Sequence, residues 1–191
     1  MKFPSLLLAS LLALATGPAL ASQPYAIDPS HTQVEFTYSH FGFSNITGRF
    51  DKVESEFAFD AVDPSRSSVK VTIPVDSIST GVEKLDGHLL SADFFDAQKY
   101  PTATFTSTGV TVAGEGKLAV AGDLSIHGVT KPVVMDVTIN KVGEHPMSKK
   151  PAAGFDASFD IKRSEFGVGG YAPAVSDEVR IEITVEAQKA G

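Results

Sequence analysis

The sequence predicts an all-β fold, a single antiparallel barrel of roughly eight strands interrupted by one short helical segment. Three observations carry this reading. Apolar residues recur with a period of two from Thr32 onward, which gives strands with one apolar face. Turn residues punctuate these runs at short, regular spacing. Only one stretch, beginning near Thr80, switches to helical spacing.

The first residues form a separate unit. Lys2 precedes the apolar run from Leu6 to Leu14, and the pair Gly17-Pro18 then breaks any helix. Ala19-Leu20-Ala21 supplies the small residues that signal peptidase accepts, so residues 1–21 read as a signal peptide cut after Ala21. A membrane span needs ~20 apolar residues, more than this run offers, and no later stretch is long and apolar enough to span a bilayer as a helix. Residues 22–191 read as one domain, long enough to bury a real core.

The predicted strands follow in order. Val34, Phe36 and Tyr38 alternate with Gln33, Glu35 and Thr37, and Phe57 and Phe59 alternate with Glu56, Ala58 and Asp60. Val69, Val71, Ile73 and Val75 form a third face, and the threonine-rich Ala103–Ser107 a fourth. Leu118, Val120, Leu124 and Ile126 share a face across Gly122, followed by Val133, Met135, Val137 and Ile139. Phe155, Ala157, Phe159 and Ile161, and then Val179, Ile181, Ile183 and Val185, complete the set. Turns are expected at Asp63-Pro64-Ser65, Gly114-Glu115-Gly116, His127-Gly128 and Gly143-Glu144. Such a pattern suits a sandwich or an up-and-down barrel, and eight strands is about the smallest barrel that can either fill itself or enclose one ligand.

The helical segment opens with Thr80-Gly81-Val82-Glu83, which reads as a capping box. Val82, Leu85 and Leu89 follow at helical spacing, and the segment is expected to end near Phe94-Phe95-Asp96. The chain has thirteen phenylalanines against four tyrosines and no tryptophan. Each suits an ordinary core, but eight inward apolar faces with a helix laid over them give more lining than a barrel of this size fills by itself. Phe36, Tyr38, Phe57, Val71, Ile73, Phe105, Leu124, Met135, Phe159 and Ile183 are therefore the candidate lining of an interior lipid site.

Composition narrows the chemistry. There is no cysteine, so disulfides and thiol nucleophiles are absent and stability rests on packing and sheet hydrogen bonds. A net charge of −7 argues against nucleic acid or an anionic membrane surface as a main partner. The five histidines never pair at the helical i, i+4 spacing of a metal site, and no hydrolase elbow or zinc-protease motif is present. No catalytic residue, metal ligand or cofactor is assigned. Gly167–Ala172 imitates a dinucleotide fingerprint but leads to Pro173 and a strand rather than a helix, so it reads as a flexible loop.

Several segments together resemble the YceI-like family of bacterial periplasmic polyisoprenoid-binding proteins. They are His88-Leu89-Leu90-Ser91-Ala92-Asp93-Phe94-Phe95-Asp96 leading into Tyr100–Ser107, and Gly122-Asp123-Leu124-Ser125-Ile126-His127-Gly128-Val129-Thr130-Lys131-Pro132-Val133. His40–Ser44 with Gly48-Arg49-Phe50, Gly154-Phe155 with Arg163–Gly167, and the closing Val179-Arg180-Ile181 support them in family order. Leu85 departs from the family, which usually carries arginine there, so a basic group near the helix start is missing. The resemblance implies a lipocalin-like extended barrel in the periplasm that carries a long isoprenoid chain in an apolar tunnel, without catalysis.

A charged head on such a lipid must stay solvated or paired at the mouth. Arg49 and Arg163 are the candidate cations for it, with His40 and His88 as hydrogen-bond donors. The partner expected is a long-chain isoprenoid or other apolar lipid, and the oligomeric state is open between monomer and homodimer. Two other readings stand beside it: an enzyme acting on such a lipid through His40 or His88, and a self-filled barrel serving as a stress-response interaction module. The signal-peptide reading predicts that N-terminal sequencing of periplasmic protein begins Ser22-Gln23-Pro24. A start at Met1 in that fraction would overturn it.

Overall fold

The structure is a computed structural model that describes residues 22–191, and the predicted signal peptide, residues 1–21, lies outside the described residues. In chain order the elements are β1 (Gln23–Ile27), β2 (Gln33–His40), β3 (Ser44–Phe50), β4 (Glu54–Phe59), β5 (Ser68–Pro74) and β6 (Ile78–Ser79). Helix α1 (Glu83–Leu90) follows, then β7 (Thr102–Gly114), β8 (Lys117–Ile126), β9 (Val129–Glu144), β10 (Pro151–Lys162) and β11 (Glu178–Lys189). Eight strands pair in a closed antiparallel ring, β1-β4-β5-β7-β8-β9-β10-β11 and back to β1, as the alternation predicted.

The ring is shared out differently at its two ends. β1 pairs with the last residues of β11, from Tyr25↔Lys189 to Ile27↔Ala187, while β2 takes over that edge from Gln33↔Thr184 to Thr37↔Arg180. Between them Pro29 cannot donate to a ladder, and the Asp28 carboxylate accepts from Ser30 N to close a single 3-10 turn, Pro29–His31. β3 then pairs with β2 and with the short β6, and β4 pairs with β1 and β5. Each of β1/β2, β4/β3 and β5/β6 is thus one bent barrel strand cut in two. β1 and β3 have weak alternation, Gln-Pro-Tyr-Ala-Ile and Ser-Asn-Ile-Thr-Gly-Arg-Phe, and were not expected as strands.

Two bulges explain where the sequence pattern fades. The β7–β8 register steps from Ser107↔Gly122 to Gly109↔Ala121, so Thr108 is extra and the inward face shifts from Ala103 and Phe105 to Val110. β7 therefore runs on to Gly114, well past the Ala103–Ser107 expected. On β9 the step between Gly154↔Lys141 and Phe155↔Ile139 leaves Asn140 extra. Gly143-Glu144, expected as a turn, is consequently the end of β9, and the chain reverses at residues 145–150, where His145 N donates to Lys150 O at 2.8 Å.

The helix start also corrects the expectation. Thr80 is held by Asp86 rather than by Glu83: its backbone N and its Oγ1 donate to Asp86 Oδ1 at 2.7 and 2.6 Å. The helix ends at Leu90, and residues 91–99 continue as turns. Val82 is exposed, whereas Leu89 is buried and Leu85 faces the barrel interior.

Side chains meet where the barrel is densest. Phe59 packs edge-on against Tyr25 and Phe155, with ring centroids 5.6 and 5.1 Å apart. Gly122 faces inward and leaves room for the Phe105 ring; a Cβ there would overlap that ring and lie 2.6 Å from Thr106 O. Gly122→Ala should therefore lower stability by ~1–3 kcal/mol, as overpacking does. Gly87→Ala, in the exposed interior of α1 with nothing within 4 Å of the new Cβ, should raise it by ~0.5–1 kcal/mol. Urea unfolding of the two variants checks the opposite signs.

Candidate functional site

The ring encloses a cavity of about 500 Å³ that follows the barrel axis. Along β11 its wall runs from Val179 through Ile181 and Ile183 to Val185, a length of ~20 Å at the rise of a strand. Alternation puts these four inside and Arg180, Glu182 and Thr184 outside, and the same rule lines β2 and the other strands of the ring. Phe36, Tyr38, Phe57, Val71, Ile73, Phe105, Leu124, Met135, Phe159 and Ile183 all line this space, as do His40, His88 and Arg163. No aspartate or glutamate is among the lining residues.

Arg49 does not join them. In the β2–β3 ladder Phe36 faces Gly48 and Val34 faces Phe50 on the inner side, so the intervening pair Glu35↔Arg49 is outside. The half-exposed Arg49 lies with Nε 2.7 Å from Asp51 Oδ1. Its inner neighbour Phe50 is the lining residue, and its period-two step from Gly48 was the available signal. Phe155, Phe94 and Phe95 line the cavity too, and Leu85 sits where the family usually has arginine. Two hydroxyls in the wall, Thr32 Oγ1 and Ser55 Oγ, are buried without a protein partner and can serve a polar atom of a ligand.

One end of the cavity is built around Arg163. This buried side chain follows β10 in the 3-10 turn Arg163–Phe166. Its Nε donates to Ser176 O at 2.8 Å, Nη1 to Val168 O and Gly170 O at 2.7 and 2.8 Å, and Nη2 to Val175 O at 2.8 Å. Four carbonyls of one loop thus converge on a single guanidinium, so residues 167–175 form a pinned loop rather than the flexible one expected. Asp177 bonds instead to Ser164, accepting from its N and Oγ at 2.8 and 2.7 Å, and those bonds hold its carboxyl below the usual range. Burial pulls the Arg163 pKa down, against the pull of Asp177 and Tyr38. Burial pushes the Tyr38 hydroxyl up, with Arg163 opposing. The result is a cationic spot in the wall beside a phenol that stays neutral.

The rim of this mouth is aromatic. The loop pinned by Arg163 is stitched to the β2–β3 hairpin: Phe41 N donates to Ala174 O at 3.1 Å, and Ser176 N to Ser39 O at 2.9 Å. His40 packs on Phe41 at 4.5 Å between centroids, and His88 of α1 packs on Phe94 at 4.9 Å. Phe41 and Tyr171 both have left-handed backbones, φ 52° and 62°, a conformation that costs a bulky residue ~1–2 kcal/mol.

Among the described residues one group could hold a metal, Asp28, His31 and Glu186, and it lies outside the cavity. Hydrogen bonds from the Ser30 and His31 side chains hold the Asp28 carboxyl down to about 2.

Comparison with known proteins adds ancestry to this geometry. A family model described as a YceI-like domain matches residues 25–187. A UPF0312 protein of Pseudomonas syringae pv. tomato is 40% identical over 185 residues, 93% of this chain and 95% of its own length. Burkholderia cenocepacia BcnA superposes with a TM-score of 0.77 at 30% identity, over 84% of this chain and 99% of its own. A polyisoprenoid binding domain from Saccharophagus degradans, implicated in plant cell wall breakdown, superposes with a TM-score of 0.67 over 88% of this chain and 99% of its own. At 16% identity that last likeness shows the fold alone.

The Arg163 cluster makes a direct prediction. Arg163→Met keeps much of the volume but leaves four loop carbonyls without their donor, so stability should fall by at least ~3 kcal/mol in urea unfolding. Amide exchange over residues 167–175 should accelerate more than exchange in β8 or β9. Unchanged protection of that loop would show that the guanidinium does not hold it.

Proposed function

This chain belongs to the YceI-like domain family, and we propose that its barrel binds and carries a long apolar lipid of the polyisoprenoid class in the periplasm, without converting it. The observation that carries the reading is the cavity itself: about 500 Å³, apolar along its length and free of carboxylates. That size falls within the range of ligand pockets and far exceeds the voids of a packed core. The self-filled barrel is disfavoured for that reason. An isoprenoid enzyme is disfavoured because neither His40 nor His88 has a lining carboxylate to orient it. The polyisoprenoid class is supported by the shared fold of the Saccharophagus domain and by the family resemblance.

Binding would be driven by removing methylenes from water at ~0.8 kcal/mol each, so a dozen buried carbons contribute on the order of 10 kcal/mol before losses. Ordering a flexible chain and losing translation offset much of this. Affinity then rises with chain length until the tunnel is full, and tunnel length sets selectivity. The head of the lipid belongs at the Arg163 end, where a buried cation and the Tyr38 hydroxyl favour an anionic or carbonyl-bearing group over bare hydrocarbon.

Mass spectrometry of organic extracts from purified protein should find lipid at near one molecule per chain; protein that is bare when purified and takes up no added lipid would overturn the reading. Val71 and Ile73 line the wall on β5, so Val71→Phe or Ile73→Phe should shorten the longest prenyl chain accepted. An unchanged length preference with stability lowered by ~1–3 kcal/mol would mean that these positions belong to a filled core.

A further inference from the structure

Three residues at the Arg163 mouth have no role in closing the barrel. Phe43 is 93% exposed, Tyr171 62% and Phe41 50%. Among the described residues every phenylalanine and tyrosine that is exposed sits on this one rim. The backbone presents them deliberately: Phe41 and Tyr171 hold left-handed conformations where glycine would be unstrained, and Gly42, at φ 73°, completes the reversal that turns Phe43 outward.

The charge pattern matches the aromatic one. Residues 41–48 and 166–176, which carry these three rings, contain no aspartate, glutamate, lysine or arginine in a chain of net charge −7. The third side of the mouth, where His88 and Phe94 pack on Tyr171, is charged through Glu83, Lys84, Asp86 and Asp93. The loops at the far end of the barrel are charged: Asp60, Asp63 and Arg66; Glu115 and Lys117; Glu144, Lys149 and Lys150. The aromatic rim is also continuous with the cavity, because Phe41 and Tyr171 line it while remaining exposed.

We propose that Phe41, Phe43 and Tyr171 form a membrane-docking rim, by which the barrel mouth seats on the interfacial layer of a phospholipid bilayer and passes its cargo without exposing it to water. This rests on the lipid-binding reading above and adds to it a partner surface. Aromatic rings favour the membrane–water interface, and the two loops that carry Phe41, Phe43 and Tyr171 bring no carboxylate to repel phosphate headgroups.

The test is sedimentation with phosphatidylcholine vesicles, using protein recovered from its producing cells with the same N-terminus verified by mass in every variant. Wild-type protein should partition onto the vesicles, with little change when salt is raised, since the contact is uncharged. Phe43→Ser should lower partitioning ~10-fold, the order expected for withdrawing one phenylalanine from an apolar phase. Phe43 does not line the cavity, so uptake of a soluble fluorescent fatty probe in vesicle-free buffer should be unchanged. Phe41→Gly should partition less while unfolding at a higher temperature, because it removes a strained side chain. Equal partitioning of wild type and Phe43→Ser, or binding abolished by salt, would overturn the proposal while leaving probe uptake intact. A loss of self-association in Phe43→Ser without vesicles would overturn it in favour of a second copy of this chain on the rim. Failure of wild-type protein to take up the probe would count against the lipid-binding reading alone.

Discussion

Strand β11 holds three neighbours at once, and the hollow interior depends on that shared edge. β10 pairs with it along its whole length, β1 holds its last residues and β2 its first. A sheet that closes on itself satisfies its backbone groups without a second layer to pack against. Stability then comes from a continuous ring of hydrogen bonds and from contacts between neighbouring lining residues, not from filling the centre. An interior that would collapse in a two-layer fold can stay open here. The break at Pro29 is what lets one edge serve two strands, because it bends the chain between β1 and β2 without opening the ring.

The same closure brings the chain before β11 back across the end of the barrel, and Arg163 decides what happens to it. A loop of eleven uncharged residues, 166–176, buries Phe166, Val168 and Val175 but still has many carbonyls to satisfy. One guanidinium, with donors arranged as a rigid fork, meets four of those carbonyls. Lysine could not reach them from a single point. The loop is therefore fixed while the charge that fixes it remains in the cavity wall, so one residue serves both the architecture of the mouth and its electrostatics.

Room inside the barrel is set by small residues as much as by large ones. Gly48 faces Phe36 and Gly122 faces Phe105, and in each case the ring occupies the space a Cβ would take. Folding these rings flat against the wall keeps them out of the axis. The bulges at Thr108 and Asn140 have a related effect: they turn Val110 inward and let the long strands β7 and β9 bend with the barrel. The opposite ends of the molecule consequently differ, with charged hairpins at one and three exposed aromatic side chains at the other.

The sequence by itself determined the all-β class and the inward face of most strands, because side chains alternate across a strand whatever it pairs with. Phe36, Phe57, Phe105, Leu124, Phe159 and Ile183 could be placed in the lining from that local rule alone. The same rule, applied to β3, would have put Phe50 inside and Arg49 outside, but the short polar run from Ser44 to Thr47 hid the strand. Only the tertiary structure decided that Thr80 bonds to Asp86, that Gly143-Glu144 ends a strand, and that the loop after Arg163 is pinned. Each of these depends on partners that chain closure brings together, and no periodicity records them. The cavity belongs to the same class, for alternation states which side chains face inward, while the number of strands in the ring and the glycines beneath the aromatic rings decide whether they meet.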